Sequence, residues 1–153
     1  MLKLGIIIPD IQYRIKLKKY LSTQSDVKCL LSEDSIYSTL CNPLLKNSQP
    51  EILLVAQDEK NHMSKNIVGL IKERFNNPSI IMLGSFTDKK IIIDNFKWGI
   101  KGYILKDEKP DDIIKRIRTI KQGGLPLSPG ITREIINYLQ NDLTDKNVIQ
   151  NKL

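Results

Sequence analysis

No apolar run in this chain approaches the length that crosses a bilayer. The opening MLKLGIIIPD meets Asp10 too early to be a good signal peptide and reads instead as a first strand. Cysteine is scarce. Cys29 and Cys41 lack metal-ligand spacing and read as reduced thiols of a cytosol-like compartment. His62 is the one histidine, isolated in a polar loop with no partner residues to make it a ligand. There is no GxGxxG, no P-loop, no repeat and no low-complexity segment. No cofactor, no metal and no membrane contact are therefore expected.

Acids are outnumbered, 17 against 24 Lys and Arg, for a net charge of +7. Such a charge can signal a nucleic-acid or acidic-protein partner. Lys is abundant together with Ile and Asn, the mark of AT-rich coding DNA, so nucleic-acid binding by this chain alone is not expected. With 153 residues, 41% of them hydrophobic and 27% charged, the chain suffices for one globular domain.

The apolar runs are short and regularly spaced. Lys3–Ile8, Val27–Leu31, Ile52–Val55, Ser79–Leu83 and Gly102–Leu105 read as strands. The stretch Pro50–Asp58 is apolar without alternation, as in a strand buried on both faces of a parallel sheet. Between the strands lie helical patterns. Ile11–Leu21 carries Ile11, Ile15, Leu17, Tyr20 and Leu21; another segment carries Ile36, Tyr37 and Leu40, and Asn66–Phe75 carries Ile67, Leu70 and Ile71. Asp88 starts a fourth helix that runs through Trp98, and Pro110 a fifth with Ile113, Ile114, Ile117 and Ile120. After Ser128-Pro129 a sixth presents Ile131, Ile135, Ile136 and Leu139; the tail 142–153 is polar without clear structure. Alternating strands and helices predict an α/β parallel sheet covered on both faces.

From Gly99 to Pro129 the sequence GIKGYILKDEKPDDIIKRIRTIKQGGLPLSP resembles the end of a bacterial response-regulator receiver domain. The nitrate-regulator branch, usually fused to a LuxR-type helix-turn-helix, matches best through Gly99, Gly102, Tyr103, Leu105, Lys106, Asp107, Gly123-Gly124 and Leu127-Ser128-Pro129. In element order the resemblance covers about residues 1–140. It implies a flavodoxin-like five-stranded sheet of order 2-1-3-4-5, with a receiver over 1–125 and a helical extension over 126–141.

The resemblance also implies where phosphoryl chemistry would sit. Carried over, the strand 5 lysine is Lys106 and the aromatic switch residue is Tyr103. The acidic pair that holds Mg²⁺ falls on Ile8 and Pro9, with Asp10 beside it. The phosphoacceptor falls on Ala56 and the hydroxyl position on Gly84, with Ser85 next. Phosphoryl transfer needs a carboxylate nucleophile and a hard cation on oxygen ligands. Ala56, Ile8 and Pro9 supply neither. Asp58 is the fallback acceptor, although aligning it there spoils the otherwise ungapped spacing to Gly84 and Lys106.

The expected function is a phosphorylation-independent, non-catalytic signalling module of transcriptional regulation. A rival is the receiver half of a regulator whose DNA-binding half is lost or missing. Another is an enzyme or small-ligand binder using Asp10, Asp58, Ser85 and Lys106. Lys115, Arg116, Arg118 and Lys121 stripe the fifth helix. They are either a solvated face or, with Tyr103, part of a docking surface for a protein or a second copy on the strand 4–strand 5–helix 5 side. Tyr103 is equally readable as half-buried packing. The expected location is cytoplasmic, or the plastid stroma if the chain is organelle-encoded.

Overall fold

The computed structural model describes residues 1–57, 62–85 and 88–152, with side chains through residue 141. Strands β1 (Leu2–Ile7), β2 (Val27–Glu33), β3 (Ile52–Ala56), β4 (Ser79–Gly84) and β5 (Gly102–Leu105) pair in parallel in the order β2-β1-β3-β4-β5. This is the predicted flavodoxin-like order with β3 central. Every residue of β3 is buried, as its unalternating pattern requires. Successive side chains of a strand point to opposite faces, so the sheet builds two cores. Leu4, Ile6, Ile8, Ile52, Leu54 and Ala56 enter one; Ile7, Leu53 and Val55 enter the other.

Helices α1 (Ile11–Ser22) and α5 (Pro110–Arg118) cover the first face through Leu17, Leu21, Ile113, Ile114 and Ile117. Helices α2 (Ile36–Cys41), α3 (Lys65–Arg74), α4 (Lys89–Lys97) and α6 (Pro129–Lys152) cover the second through Ile36, Val68, Ile71, Ile92 and Ile131. Short polar side chains set the helix starts. Asp10, Ser35, Ser64 and Asp88 each accept a hydrogen bond from a backbone N–H of the first turn. Pro43 follows α2 and opens one turn of 3₁₀ helix.

Three expectations about apolar faces are corrected. Ile11 and Ile15 are each 59% exposed, and α1 packs through Leu17 and Leu21 instead. Tyr37 and Leu70 are exposed, while Val68 takes the core position on α3. On α6, Ile131 is buried and Ile135 is partly buried, but Ile136 and Leu139 face outward. The neighbours decide these cases: a helix on one face of a sheet buries a narrow stripe, and apolar residues beyond it stay wet. The tail expected to lack structure is helical, since α6 continues without a break to Lys152.

The segment before α6 lies along β5. Tyr103 N–H donates to the Pro126 carbonyl at 3.0 Å and Ser128 N–H to the Tyr103 carbonyl at 3.1 Å. Leu127 thereby forms a parallel bridge with Tyr103 and covers the outer edge of the sheet. The approach is close enough that a Cβ on Gly102 would stand 2.5 Å from Pro126. Buried Ser128 accepts from Leu105 N–H at 2.8 Å and donates to Glu108, which Arg116 holds at 2.7 Å.

Candidate functional site at the carboxyl ends of the strands

In an open parallel sheet, the ends of the central strands face a crevice where ligands bind. The register brings the residues singled out above to that edge. Ile7 pairs with Val55, so Ile8 and Ala56 follow side by side; Ala56 pairs with Leu83 and Gly84 with Leu105. Lys106 N–H donates to the Gly84 carbonyl at 2.8 Å. Ile8, Ala56, Gly84 and Lys106 thus line one edge. Asp58 lies outside the described residues.

The side chains there are mostly apolar. Ile8 and Ala56 are buried and belong to the core beneath. Asp10 caps α1 and accepts from Tyr13 N–H at 3.1 Å. Arg14 turns back so that its guanidinium donates to the Ile8 carbonyl at 2.5 Å. A fixed cation therefore sits at the end of β1. The donor set does not fit a hard divalent ion: Ile8, Pro9 and Ala56 bring no side-chain oxygen, and no group of three potential metal-ligating side chains occurs among the described residues.

Lys106 is half-buried, with its ammonium 5.8 Å from the centroid of the Tyr13 ring and in no ion pair among the described residues. It borders a cleft of about 240 Å³ between α1 and the β5–α5 connection, with Lys16, Glu108 and Lys109. Burial, and secondarily the charge of Glu108, push the Tyr13 phenol up to about 12, so the ring beside Lys106 stays neutral.

Tyr103 is buried, at 4% exposure, which decides against the surface reading. Its hydroxyl donates to the Ser85 carbonyl at 3.1 Å. Burial first, then Asp88, raise its pKa. The ring occupies space that Gly84 leaves open: a Cβ at that position would overlap the Tyr103 hydroxyl and stand 3.1 Å from Cζ. Behind β3, buried Asn95 donates to the Gln57 side chain at 3.1 Å. Neither Asn95 nor Gln57 announces itself in the sequence, because the pair forms across 38 residues.

The helix 5 stripe is not one free surface. Arg116 pairs with Glu108 at 2.7 Å, Arg118 with Asp26 at 2.9 Å and Lys121 with Glu51 at 2.9 Å. Lys115 alone of the four is exposed without an ion pair among the described residues. The expected docking surface next to Tyr103 is also occupied by the chain's own residues 126–128 and by α6, which Glu134 ties to Lys89 at 3.4 Å.

No protein-family model matches the chain. The transcriptional regulatory protein LnrK of Bacillus subtilis is 32% identical over 94 residues, covering 60% of this chain and 42% of LnrK. The oxygen regulatory protein NreC of Staphylococcus epidermidis is 33% identical over 76 residues, covering 47% of this chain and 35% of NreC. The matches thus span less than half the length of either relative. Among solved structures, the isolated receiver domain of RcsB from Salmonella enterica serovar Typhimurium superposes with a TM-score of 0.70 at 20% identity, over 88% of this chain and 99% of that one. The chain has the fold of receiver domains, and its sequence relatives are transcriptional response regulators.

Proposed function

We propose that this chain is a receiver that works without phosphorylation, a non-catalytic interaction module of transcriptional regulation in the cytoplasm. The observation that carries the reading is the end of β3, where Ala56 stands buried beside Ile8. A methyl group cannot attack phosphorus, and Ile8, Pro9 and Ala56 offer no ligands for the cation that would screen the incoming charge. Arg14 already supplies positive charge at the end of β1. With Tyr103 buried against Gly84, its position is set by packing and needs no phosphoryl group to draw it inward. Populations of such a domain shift only through a partner or ligand that favours one state. Asp58 as a displaced acceptor is the outcome that would overturn this reading.

The test is a titration with Mg²⁺ and the phosphomimetic beryllium fluoride, followed through backbone amide resonances. The reading predicts no saturable shift at the strand ends. Saturable shifts around Ile8, Ala56 and Lys106 would show that the site takes metal and phosphate mimic after all.

A second reading, the receiver part of a longer transcription regulator, draws support from the lengths of LnrK and NreC, of which the matches cover 42% and 35%. Longer reading frames around the coding sequence would decide for it.

A further inference from the structure

We infer that the outer edge of β2 takes an extended segment of a partner protein as a sixth strand, one in which apolar and acidic residues alternate. The sheet ends differently on its two sides. Leu127 bridges β5, whereas among the described residues no strand lies beyond β2. Leu2 N–H donates to the Asp26 carbonyl and Ile8 N–H to the Glu33 carbonyl, so the backbone groups of Asp26 and Glu33 turn toward β1. By alternation those of Cys29 and Ser32 turn outward, on either side of the bulge at which the register skips Leu30. A strand edge with open N–H and carbonyl groups is a template for another chain.

The surroundings of the edge select the segment. Ile11, Ile15 and Lys18 form one stripe of α1, spaced i, i+4 and i+7. The charge of Lys18 acts on the Cys29 thiol of β2, which places that stripe on the β2 flank of the helix, away from α5. Ile11 and Ile15 are each 59% exposed, an apolar contact without a cover. Helix α1 carries Arg14, Lys16, Lys18 and Lys19 and no acidic residue. Lys28 of β2 is exposed as well, and with Val27 and Cys29 packed on the α1 side it points to the opposite face. Lys18, Lys19 and Lys28 form no ion pair among the described residues. The acids that flank the strand are engaged, Asp26 by Arg118 and Glu33 by Asn42. An added strand of alternating pattern sets its apolar residues against Ile11 and Ile15 and its acids on the Lys28 face. Lys28 and the bulge guard the edge against indiscriminate pairing, and acids opposite Lys28 turn that guard into an attraction. A second copy is the poorer occupant: β2 paired with β2 about a two-fold axis brings two basic α1 helices onto one face with no acid between them. The inference does not rest on the phosphorylation reading, and either can fail without the other.

A capped synthetic peptide of four Val-Glu repeats, titrated into the full chain and followed through its backbone amides, tests it. Binding should saturate at low salt, weaken at high salt and slow hydrogen exchange at the Cys29 and Ser32 amides. The same peptide N-methylated throughout keeps its charge but cannot donate to the edge, and it should bind about tenfold more weakly or worse. A peptide of four Val-Lys repeats should not bind wild type. Lys18→Glu with Lys28→Glu should reverse the preference between the acidic and the basic peptide. Absence of saturable binding would overturn the inference. Equal binding of the methylated peptide would reduce the effect to charge and overturn it too. Exchange at those two amides that slows with protein concentration alone would give the edge to a second copy, against the inference. Circular dichroism checks folding; should the charge variant unfold, Ile15→Asp at an exposed position must weaken the acidic peptide in its place.

Discussion

At the residue scale, the pairing of Gly84 with Tyr103 decides the character of the site. The missing side chain at 84 is the room the phenol uses, so the two residues are read together. Gly84→Thr should be destabilising by roughly 1–3 kcal/mol, the usual cost of overpacking a filled core. It should also expel the ring. Urea unfolding measures the first effect, and alkaline spectrophotometric titration the second. An expelled Tyr103 loses the burial that raises its pKa and should titrate nearer the ordinary tyrosine value of 10.0. Tyr103→Phe keeps the packing and removes the bond to the Ser85 carbonyl, for a loss of about 1 kcal/mol. Unchanged stability and an unshifted tyrosine in Gly84→Thr would show that the pocket has slack and that the ring is held by something else.

At the scale of elements, α5 is fastened at both ends. Glu108, which precedes the helix and is held by Ser128, binds Arg116 of its last turns, while Arg118 and the following Lys121 reach Asp26 and Glu51 at the amino ends of β2 and β3. The hydrogen bond from Arg118 keeps the Asp26 carboxyl below its ordinary 3.8, and that from Lys121 keeps Glu51 below 4.5. Both folded values are depressed, so the unfolded chain binds more protons. The stabilisation is complete above the ordinary values and disappears as pH falls through the depressed ones. The double variant Arg118→Ala, Lys121→Ala should therefore be less stable than wild type at neutral pH, by a small margin because both pairs are exposed. The difference should shrink below about pH 4. A difference that grows in acid would mean the bases act by packing. The strands, the helix start at Asp88 and the core residues of α5 were legible in the sequence, because periodicity and short polar caps are local signals. The exposure of Ile11, Ile15 and Leu139 was not, since it depends on which neighbours arrive. Arg14 on the Ile8 carbonyl and Asn95 on Gln57 were equally hidden. The basic stripe misled for the same reason: Asp26 and Glu51 lie 92 and 70 residues away from the cations they meet.

At the scale of the whole molecule, the chain has the fold of receiver domains, and the position that the resemblance gives the phosphoacceptor holds an alanine. The sheet order, the crevice and Lys106 are in place, and β5 carries its own C-terminal segment and α6 across the outer edge. Positive charge at the end of β1 comes from Arg14 in the chain. The account thus predicts a domain whose state follows its partners rather than a phosphoryl donor. Intact-mass spectrometry after incubation with acetyl phosphate and Mg²⁺ tests this most directly. The account predicts an unmodified mass, and little modification even after Ala56→Asp, because Ile8 and Pro9 still leave the cation without ligands. A single phosphoryl adduct on the wild-type chain, cleaved by hydroxylamine as an acyl phosphate is, lost in Asp58→Ala and kept in Asp10→Ala, would contradict it.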